Sequence, residues 1–410
     1  MNLAKPASLG IVACPGGEYF TEDVLNHIKA LYKKKLRRKA ECLERVYDLP
    51  HEEVMRKINF ATDLHAPRQL YSGPVDGYRL PKFEVEARFT RFANGEFKTE
   101  LLSSVRGMDL YIIQDVENHY PIRFYNDDRD YAVSVNDHVM MLFNTIDTAI
   151  QASASSITVV IPAFPFARQH KKKGREGLTA SWFGRVTEYM GVSRIVTMDI
   201  HSTEIENSFN TLRMENLHGS YQIIRKLAQI VDLEKTDMVV VSPDTGAIDR
   251  NKFYAGNIKR PLALLYKERD YSQVSKDADE TNITRSRLLG SVEGKTVFMA
   301  DDMIGTGGTL ISAMRCLREM GARDIIVGVS LPLFNNNAIE QFDQAYQEGL
   351  FYRIIGTNAI YHDQQLLNKE WFISANVSNL FARIIYRLHH NSSLSPLLDN
   401  SGIIQKVLKK

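Results

Sequence analysis

Cysteine is scarce in this 410-residue chain: Cys14, Cys42 and Cys316 are the three. No two of them form a Cys-x-x-Cys pair, and their number is odd. That excludes a disulfide framework and a cysteine-built zinc site, and it fits a reducing compartment. An apolar leader is also lacking. Met1 to Gly10 holds no hydrophobic stretch, and the longest apolar runs, such as Ile157 to Pro162, are only strand-sized. We therefore expect no signal peptide, no membrane span and a cytoplasmic protein. Excess charge is missing as well. Lys+Arg 51 against Asp+Glu 49 leaves +2, which gives no support to generic nucleic-acid binding through bulk charge. Any anion site must be built locally. What remains is 44% hydrophobic and 24% charged residues, the mix of a globular protein. The length leaves room for two domains.

Short β-branched runs alternate with helical stretches. Ile157 to Ile161, Arg194 to Met198, Met238 to Val241, Thr296 to Met299 and Ile325 to Val329 are continuous apolar runs. Runs of this kind are covered on both faces, as in parallel sheets. A helix is expected from Thr309, with Leu310, Met314 and Leu317 on one stripe and Gly321 as its C-terminal cap. Alternating strands and helices mean an α/β fold. Two similar blocks meet near Gly219, so we expect domains at 1–219 and 220–410. Two stretches read as additions. One is an irregular segment from Lys33 to Val85 that begins with the basic run Lys33 to Lys39, read as a solvated helix face. The other, Glu117 to Tyr131, is rich in Asp, Asn, Tyr and Arg and reads as a surface loop.

The sharpest local signal runs from Thr296 to Thr309. A buried strand ends in Asp301 and Asp302. The loop Gly305-Thr306-Gly307-Gly308 follows, and a helix opens at Thr309. Glycines let the backbone approach a phosphate, and the loop N–H groups share the positive end of the helix dipole. Thr306 and Thr309 add hydroxyl donors. The two carboxylates would repel a phosphate but suit sugar hydroxyls or a metal. The unit reads as a cradle for ribose 5-phosphate. It is not a Walker A loop, because no Gly-Lys-Ser/Thr follows.

This loop resembles that of type I phosphoribosyltransferases and of the ribose-phosphate pyrophosphokinases. Other stretches favour the second family: Arg91-Phe-Ala-Asn-Gly-Glu96, Ser104 to Gln114, Ile161-Pro-Ala-Phe-Pro-Phe-Ala-Arg-Gln169, Thr197-Met-Asp-Ile-His201 and Val241-Ser-Pro-Asp244-Thr-Gly. They occur in the family's order, and Glu370 to Leu398 resembles its closing segment. The resemblance covers nearly all of the chain apart from the two additions. It implies two phosphoribosyltransferase-like domains, each a mostly parallel sheet flanked by helices. It also implies transfer of the β,γ-diphosphoryl group of ATP to the 1-hydroxyl of ribose 5-phosphate, giving phosphoribosyl pyrophosphate and AMP.

The resemblance further assigns residues. Arg168 and Gln169 would contact ATP, while Phe92, Asn94, Gly95 and Glu96 would read adenine from a neighbouring subunit. That would make a homo-oligomer part of the site. His201 and Asp244 would bind Mg²⁺ on the ATP, with Asp199 supporting His201. Lys267 and Arg269 would stabilise the transferring group at the start of a closing loop, Asp270 to Arg287. Asp301, Asp302, Gly305, Thr306, Gly307, Gly308 and Thr309 would hold ribose 5-phosphate. Lys171 to Arg175 would lie near the triphosphate. The chain departs from the family pattern at Gly305, which stands where a third acid is usual, and at Asn210, where an acid is expected. Two competing functions remain open here: a non-catalytic regulatory homologue and a type I phosphoribosyltransferase.

Overall fold

The computed structural model describes residues 7–57, 80–172, 174–269 and 283–408, with the backbone alone at 56, 57, 267–269, 283–285 and 406. The chain divides into two compact units. The first comprises Met1–Leu217 and Ser378–Leu397, the second His218–Val377 and Leu398–Lys410. The units differ from the expected 1–219 and 220–410 in two respects: the division falls after Leu217, and Ser378–Leu397 joins the first unit.

In the first unit the elements run β1 (Ser8–Ala13), α1 (Glu18–Tyr47), α2 (His51–Lys57), β2 (Ala87–Arg91), β3 (Phe97–Leu101), β4 (Met108–Ile113), β5 (Ile122–Arg123), β6 (Asp130–Tyr131), α3 (Val135–Gln151), β7 (Ser156–Val160), α4 (Thr179–Tyr189), β8 (Arg194–Met198) and β9 (Arg213–Leu217). Five strands form one parallel sheet in the order β1-β4-β7-β8-β9. Its interior positions, among them Ile112, Val159 and Ile195, are fully buried. This is why the runs carry no polar alternation.

The second unit continues with α5 (Ser220–Ile230), β10 (Met238–Ser242), α6 (Ile248–Ile258), β11 (Leu262–Arg269), β12 (Ile283–Leu289), β13 (Thr296–Ile304), α7 (Gly308–Glu319), β14 (Asp324–Pro332), α8 (Ala338–Gln347), β15 (Arg353–Thr357), α9 (Gln364–Leu367) and β16 (Phe372–Ala375). Its sheet has the order β12-β11-β10-β13-β14-β15-β16, and every pair is parallel except β11–β12. Leu310, Met314 and Leu317 of α7 are buried, and Gly321 follows the helix at φ +87°. The last helices are α10 (Ser378–His389), α11 (Ser395–Leu398) and α12 (Ser401–Leu408). In the first unit, α10 packs on α1, with Phe20 edge-on to Phe381 at 5.1 Å. In the second, α12 buries Ile404 beside Ile223 and Tyr254.

Further expectations change. The basic run from Lys33 is not the start of an irregular segment but part of the 30-residue helix α1. Lys33, Lys34, Arg37 and Arg38 are exposed on it, while Tyr32 and Ala40 are buried. A helix satisfies its own backbone, so a long charged face needs no sheet to support it. Residues 58–79 lie outside those described. Glu117–Tyr131 is not a plain loop. It forms the small β5–β6 hairpin, in which Ile122 and Phe124 are buried. Residues 283–287 of the expected closing loop form β12, antiparallel to β11. The rest of that loop, 270–282, is outside the described residues.

Candidate active site

In the second unit, strand register gathers the sequence-predicted residues at one sheet edge. Ser242 of β10 pairs with Leu264 of β11, and Val240 with Phe298 of β13. The parallel strands β10, β11 and β13 therefore point their carboxyl ends the same way. Asp244 follows the first, Lys267 and Arg269 end the second, and Asp301 and Asp302 lie on the third. This is the edge at which open α/β sheets bind ligands. Register shifts between Glu268 and Arg269, so β11 is irregular where the two cations sit.

The strand carrying the two acids does not stop at them, as the sequence reading expected, but runs on to Ile304. Asp301 still pairs with Val329 of β14. On the other side β13 loses β10, and a side chain takes the strand's place. Asn251 of α6 is fully buried. It donates to the Ala300 carbonyl at 2.8 Å and accepts from the Ala300 N–H at 2.8 Å. It also donates to the Ala247 carbonyl at 2.9 Å. Both backbone groups of Ala300 are thus satisfied without a neighbouring strand, which frees the edge at the next residue.

Its neighbour Arg250 sits 3.8 Å from Asp301 and 3.5 Å from Asp302. Sequence reasoning missed both residues. The only available signal was their position in the run Asp249-Arg250-Asn251 after the Asp244 loop.

Asp302 is buried, and Asp301 is half-buried beside it. Burial first, then the Asp302 charge, raises the Asp301 carboxyl above the ordinary carboxylate range, while Arg250 opposes the rise. A raised folded-state pKa means the fold binds this proton more tightly than the unfolded chain does. The resulting stability is present at low pH and is lost as pH rises through the folded value. Asp301→Asn is therefore expected to gain stability relative to the unaltered protein between about pH 5 and pH 8. Melting curves at the two pH values check this. An identical melting difference at both would remove the raised acid.

The loop after β13 ends at α7, and among the described residues no side chain caps that helix. Its first N–H groups therefore remain for a ligand. Thr306, Gly308 and Thr309 are exposed there. Gly307 is required twice over. Its φ is +81°, and a Cβ would lie 2.3 Å from the Phe342 ring. A Cβ on Gly308 would meet nothing within 4 Å. Asp244 is exposed, and its Oδ1 accepts from the Ala247 N–H at 2.9 Å, which ties its carboxylate to the start of α6.

The first unit holds the remaining candidates at the carboxyl ends of β7 and β8. Arg168 and Gln169 are exposed in a turn in which the Gln169 N–H donates to the Phe166 carbonyl at 2.7 Å. The adjoining His170 ring meets His201 edge-on at 5.2 Å. The two loops therefore come together, and Lys171 lies 3.4 Å from Glu204. Asp199 takes a positive φ of 41°, turning the chain sharply after β8. Glu117, from the added segment, also belongs here. Burial raises its carboxyl, and the Arg168 charge opposes that rise.

Phe92, Asn94, Gly95 and Glu96 form the tight turn between β2 and β3. The Phe92 N–H donates to the Glu96 carbonyl at 2.8 Å, and the Glu96 N–H donates to Asn94 Oδ1 at 3.2 Å. Gly95 supplies the positive φ, +92°, that the turn needs. Phe92 is 44% exposed, an unusual place for such a ring.

Among the described residues no group of three or more His, Cys, Asp or Glu side chains could cage a metal. No described helix is long and apolar enough to cross a membrane.

Comparison with known proteins accords with this arrangement. Residues 79–191 match the family described as the N-terminal domain of ribose phosphate pyrophosphokinase, and residues 211–364 match the phosphoribosyl transferase domain. A ribose-phosphate pyrophosphokinase of Prochlorococcus marinus (strain MIT 9313) is 33% identical over 334 residues, covering 80% of this chain and 87% of that protein. Ribose-phosphate pyrophosphokinase A of Dictyostelium discoideum is 32% identical over 338 residues, covering 82% of this chain and 96% of that protein. In fold, the chain is similar to the crystal structure of phosphoribosylpyrophosphate synthetase from Mycobacterium smegmatis. The TM-score is 0.67 at 24% identity, over 94% of this chain and all of that one. The two largely parallel sheets, the acid pair before an uncapped helix, and relatives of this identity over four fifths of the sequence lead to one conclusion: the chain belongs to the ribose-phosphate pyrophosphokinase family.

Proposed function

We propose that the chain is a Mg²⁺-dependent ribose-phosphate diphosphokinase that makes phosphoribosyl pyrophosphate and AMP from ATP and ribose 5-phosphate. The observation that carries this reading is the acid pair Asp301 and Asp302 beside the uncapped start of α7. The helix start, with Thr306, Gly307, Gly308 and Thr309, takes the 5-phosphate through backbone N–H groups and hydroxyls. The carboxylates face the sugar hydroxyls. Arg250 offsets part of their mutual repulsion, and Asn251 fixes the strand just before them. A phosphate near Asp302 would be repelled, so the sugar is oriented with its 1-hydroxyl end away from α7.

Arg168 and Gln169 bind the ATP phosphates, and Phe92, Asn94, Gly95 and Glu96 read adenine in a homo-oligomer. Phe92 at the surface of its own chain supports that last assignment, because an exposed ring gains most by stacking on a neighbour's ligand. His201 and Asp244 suit Mg²⁺ carried by the nucleotide. The ion takes few protein ligands and keeps waters, and Asp244 is exposed with one oxygen already anchored by Ala247. When bound, the ion would offset charge on the transferring diphosphoryl group. Lys267 and Arg269 act on the same charge. A cytoplasmic location fits the three scattered cysteines.

The test is AMP formation by purified protein with ATP, Mg²⁺ and phosphate, with and without ribose 5-phosphate. AMP should depend on both substrates. No AMP above the sugar-free control would reject the enzyme. If the protein also altered the rate of an added active homologue, a regulatory role would replace the enzyme reading. Gly305→Asp belongs in the same assay. It adds a carboxylate beside the sugar and is expected to lower the ribose 5-phosphate KM about tenfold or more, the worth of one charged hydrogen bond. An unchanged KM would mean that position 305 does not touch the sugar.

A further inference from the structure

The segment Glu117–Tyr131 carries no motif for the reaction, yet the structure ties it closely to the β2–β3 turn. Asn126 takes both backbone groups of Arg91, the residue just before Phe92. Its Oδ1 accepts from the Arg91 N–H at 3.1 Å, and its Nδ2 donates to the Arg91 carbonyl at 2.8 Å. Two steps back, the Tyr125 N–H donates to the Phe89 carbonyl at 3.1 Å. The guanidinium of Arg88 lies 4.1 Å from the centre of the Tyr125 ring, and that of Arg91 lies 4.4 Å from Tyr131. Underneath, Phe97 on the other strand meets Phe124 at 5.5 Å, and Phe124 is buried with Ile122 and Met141. Arg129 and Tyr131 both bind Asp127, which keeps the β5–β6 hairpin folded around its own charge.

A two-stranded ribbon is marginal by itself. Here β2 and β3 form a sheet of their own. The geometry points to Ile122–Tyr131 as a brace that holds the Phe92-Asn94-Glu96 turn in the conformation that reads the adenine ring. The proposal rests on the adenine assignment made above. Asn126, Tyr125 and Tyr131 are positioning residues in it, acting through Arg91 and Arg88 and not by touching nucleotide. Bonds on both sides of Arg91 restrict the turn before binding, so less order is lost when ATP arrives.

Asn126 is exposed, so Asn126→Ala should fold. We expect its ATP KM to rise about three- to tenfold, the scale of one or two net hydrogen bonds. The KM for ribose 5-phosphate and kcat at saturating ATP should stay within about twofold. Preference for ATP over GTP should fall as the ATP KM rises. Tyr125→Ala should shift the same quantity in the same direction, and amide exchange at Phe92 and Gly95 should quicken in both variants.

A cycle with Phe92→Ala separates the brace from the site. If the turn is the target, Asn126→Ala costs less ATP affinity once Phe92 is gone. An unchanged ATP KM in Asn126→Ala, or full additivity with a working Phe92→Ala effect, overturns the brace and leaves the adenine assignment standing. Phe92→Ala without effect overturns that assignment, and the brace falls with it.

Discussion

Lys267→Ala is expected to lower kcat by about 10²–10³, the cost of removing one preorganised donor to transition-state charge. The ATP KM should change far less. Transfer of a diphosphoryl group builds charge on oxygens that carry less of it in bound ATP, so a cation placed for the transition state acts mainly on kcat. The position supports this. Lys267 lies at the carboxyl end of β11, in the row where β10 delivers Asp244 and β13 delivers Asp301. Pairing with β12, where Lys267 faces Ser286, anchors the strand on its other side. Steady-state kinetics with both substrates varied provide the check. Equal losses in kcat and in ATP binding would make the lysine a substrate holder only. Arg269→Ala, two residues on and past the register shift, should follow the same pattern.

Gly307→Ala is expected to unfold the loop before α7 locally, whereas Gly308→Ala is expected to leave the fold intact. At Gly307 two penalties add. The backbone sits at φ +81°, and a methyl group would lie 2.3 Å from the Phe342 ring. A side chain at positive φ costs about 1 kcal/mol or more, and forcing atoms into a packed ring adds about 1–3 kcal/mol. Phe342 is fully buried against Trp371 and Phe351, so it has little room to withdraw. The melting temperature should fall, and the KM for ribose 5-phosphate should rise at least tenfold, about 1.4 kcal/mol of binding. At Gly308 a Cβ meets open space. An unchanged melting temperature combined with weaker ribose 5-phosphate binding there would locate the phosphate against that glycine. If both variants melted alike, packing against Phe342 would not be what holds the loop.

The contrast between the two glycines shows where sequence reading stops. Gly-Thr-Gly-Gly before a helix reads as the loop proposed to hold phosphate, because glycine lets the backbone come that close. Nothing in the string says which glycine is needed for shape and which leaves room for ligand. That depends on Phe342, a residue of α8 brought over the loop by folding. The two added segments give a similar lesson. The basic run from Lys33, read as a solvated helix face at the head of an irregular insertion, lies inside one continuous helix of 30 residues. The Asp- and Tyr-rich stretch after Glu117 looked like loose surface, yet it packs Phe124 into a small core. Composition describes solvation well, but a polar hairpin two residues per strand wide has no period to detect.

By itself the sequence determined the α/β class, the position of the main strands, the acid–glycine loop and the family. Each rests on a local rule: uninterrupted apolar runs for strands buried on both faces, and glycine where the backbone must turn or approach a ligand. Only the tertiary structure decided what holds those parts in place. Asn251 closes the open side of β13 from 49 residues away, and Asn126 grips Arg91 from 35 residues away. Ser378–Leu397 joins the first unit after the whole of the second sheet has been built. A side-chain amide that pairs with one distant peptide group leaves no periodicity and no spacing behind, so only the folded chain can show it.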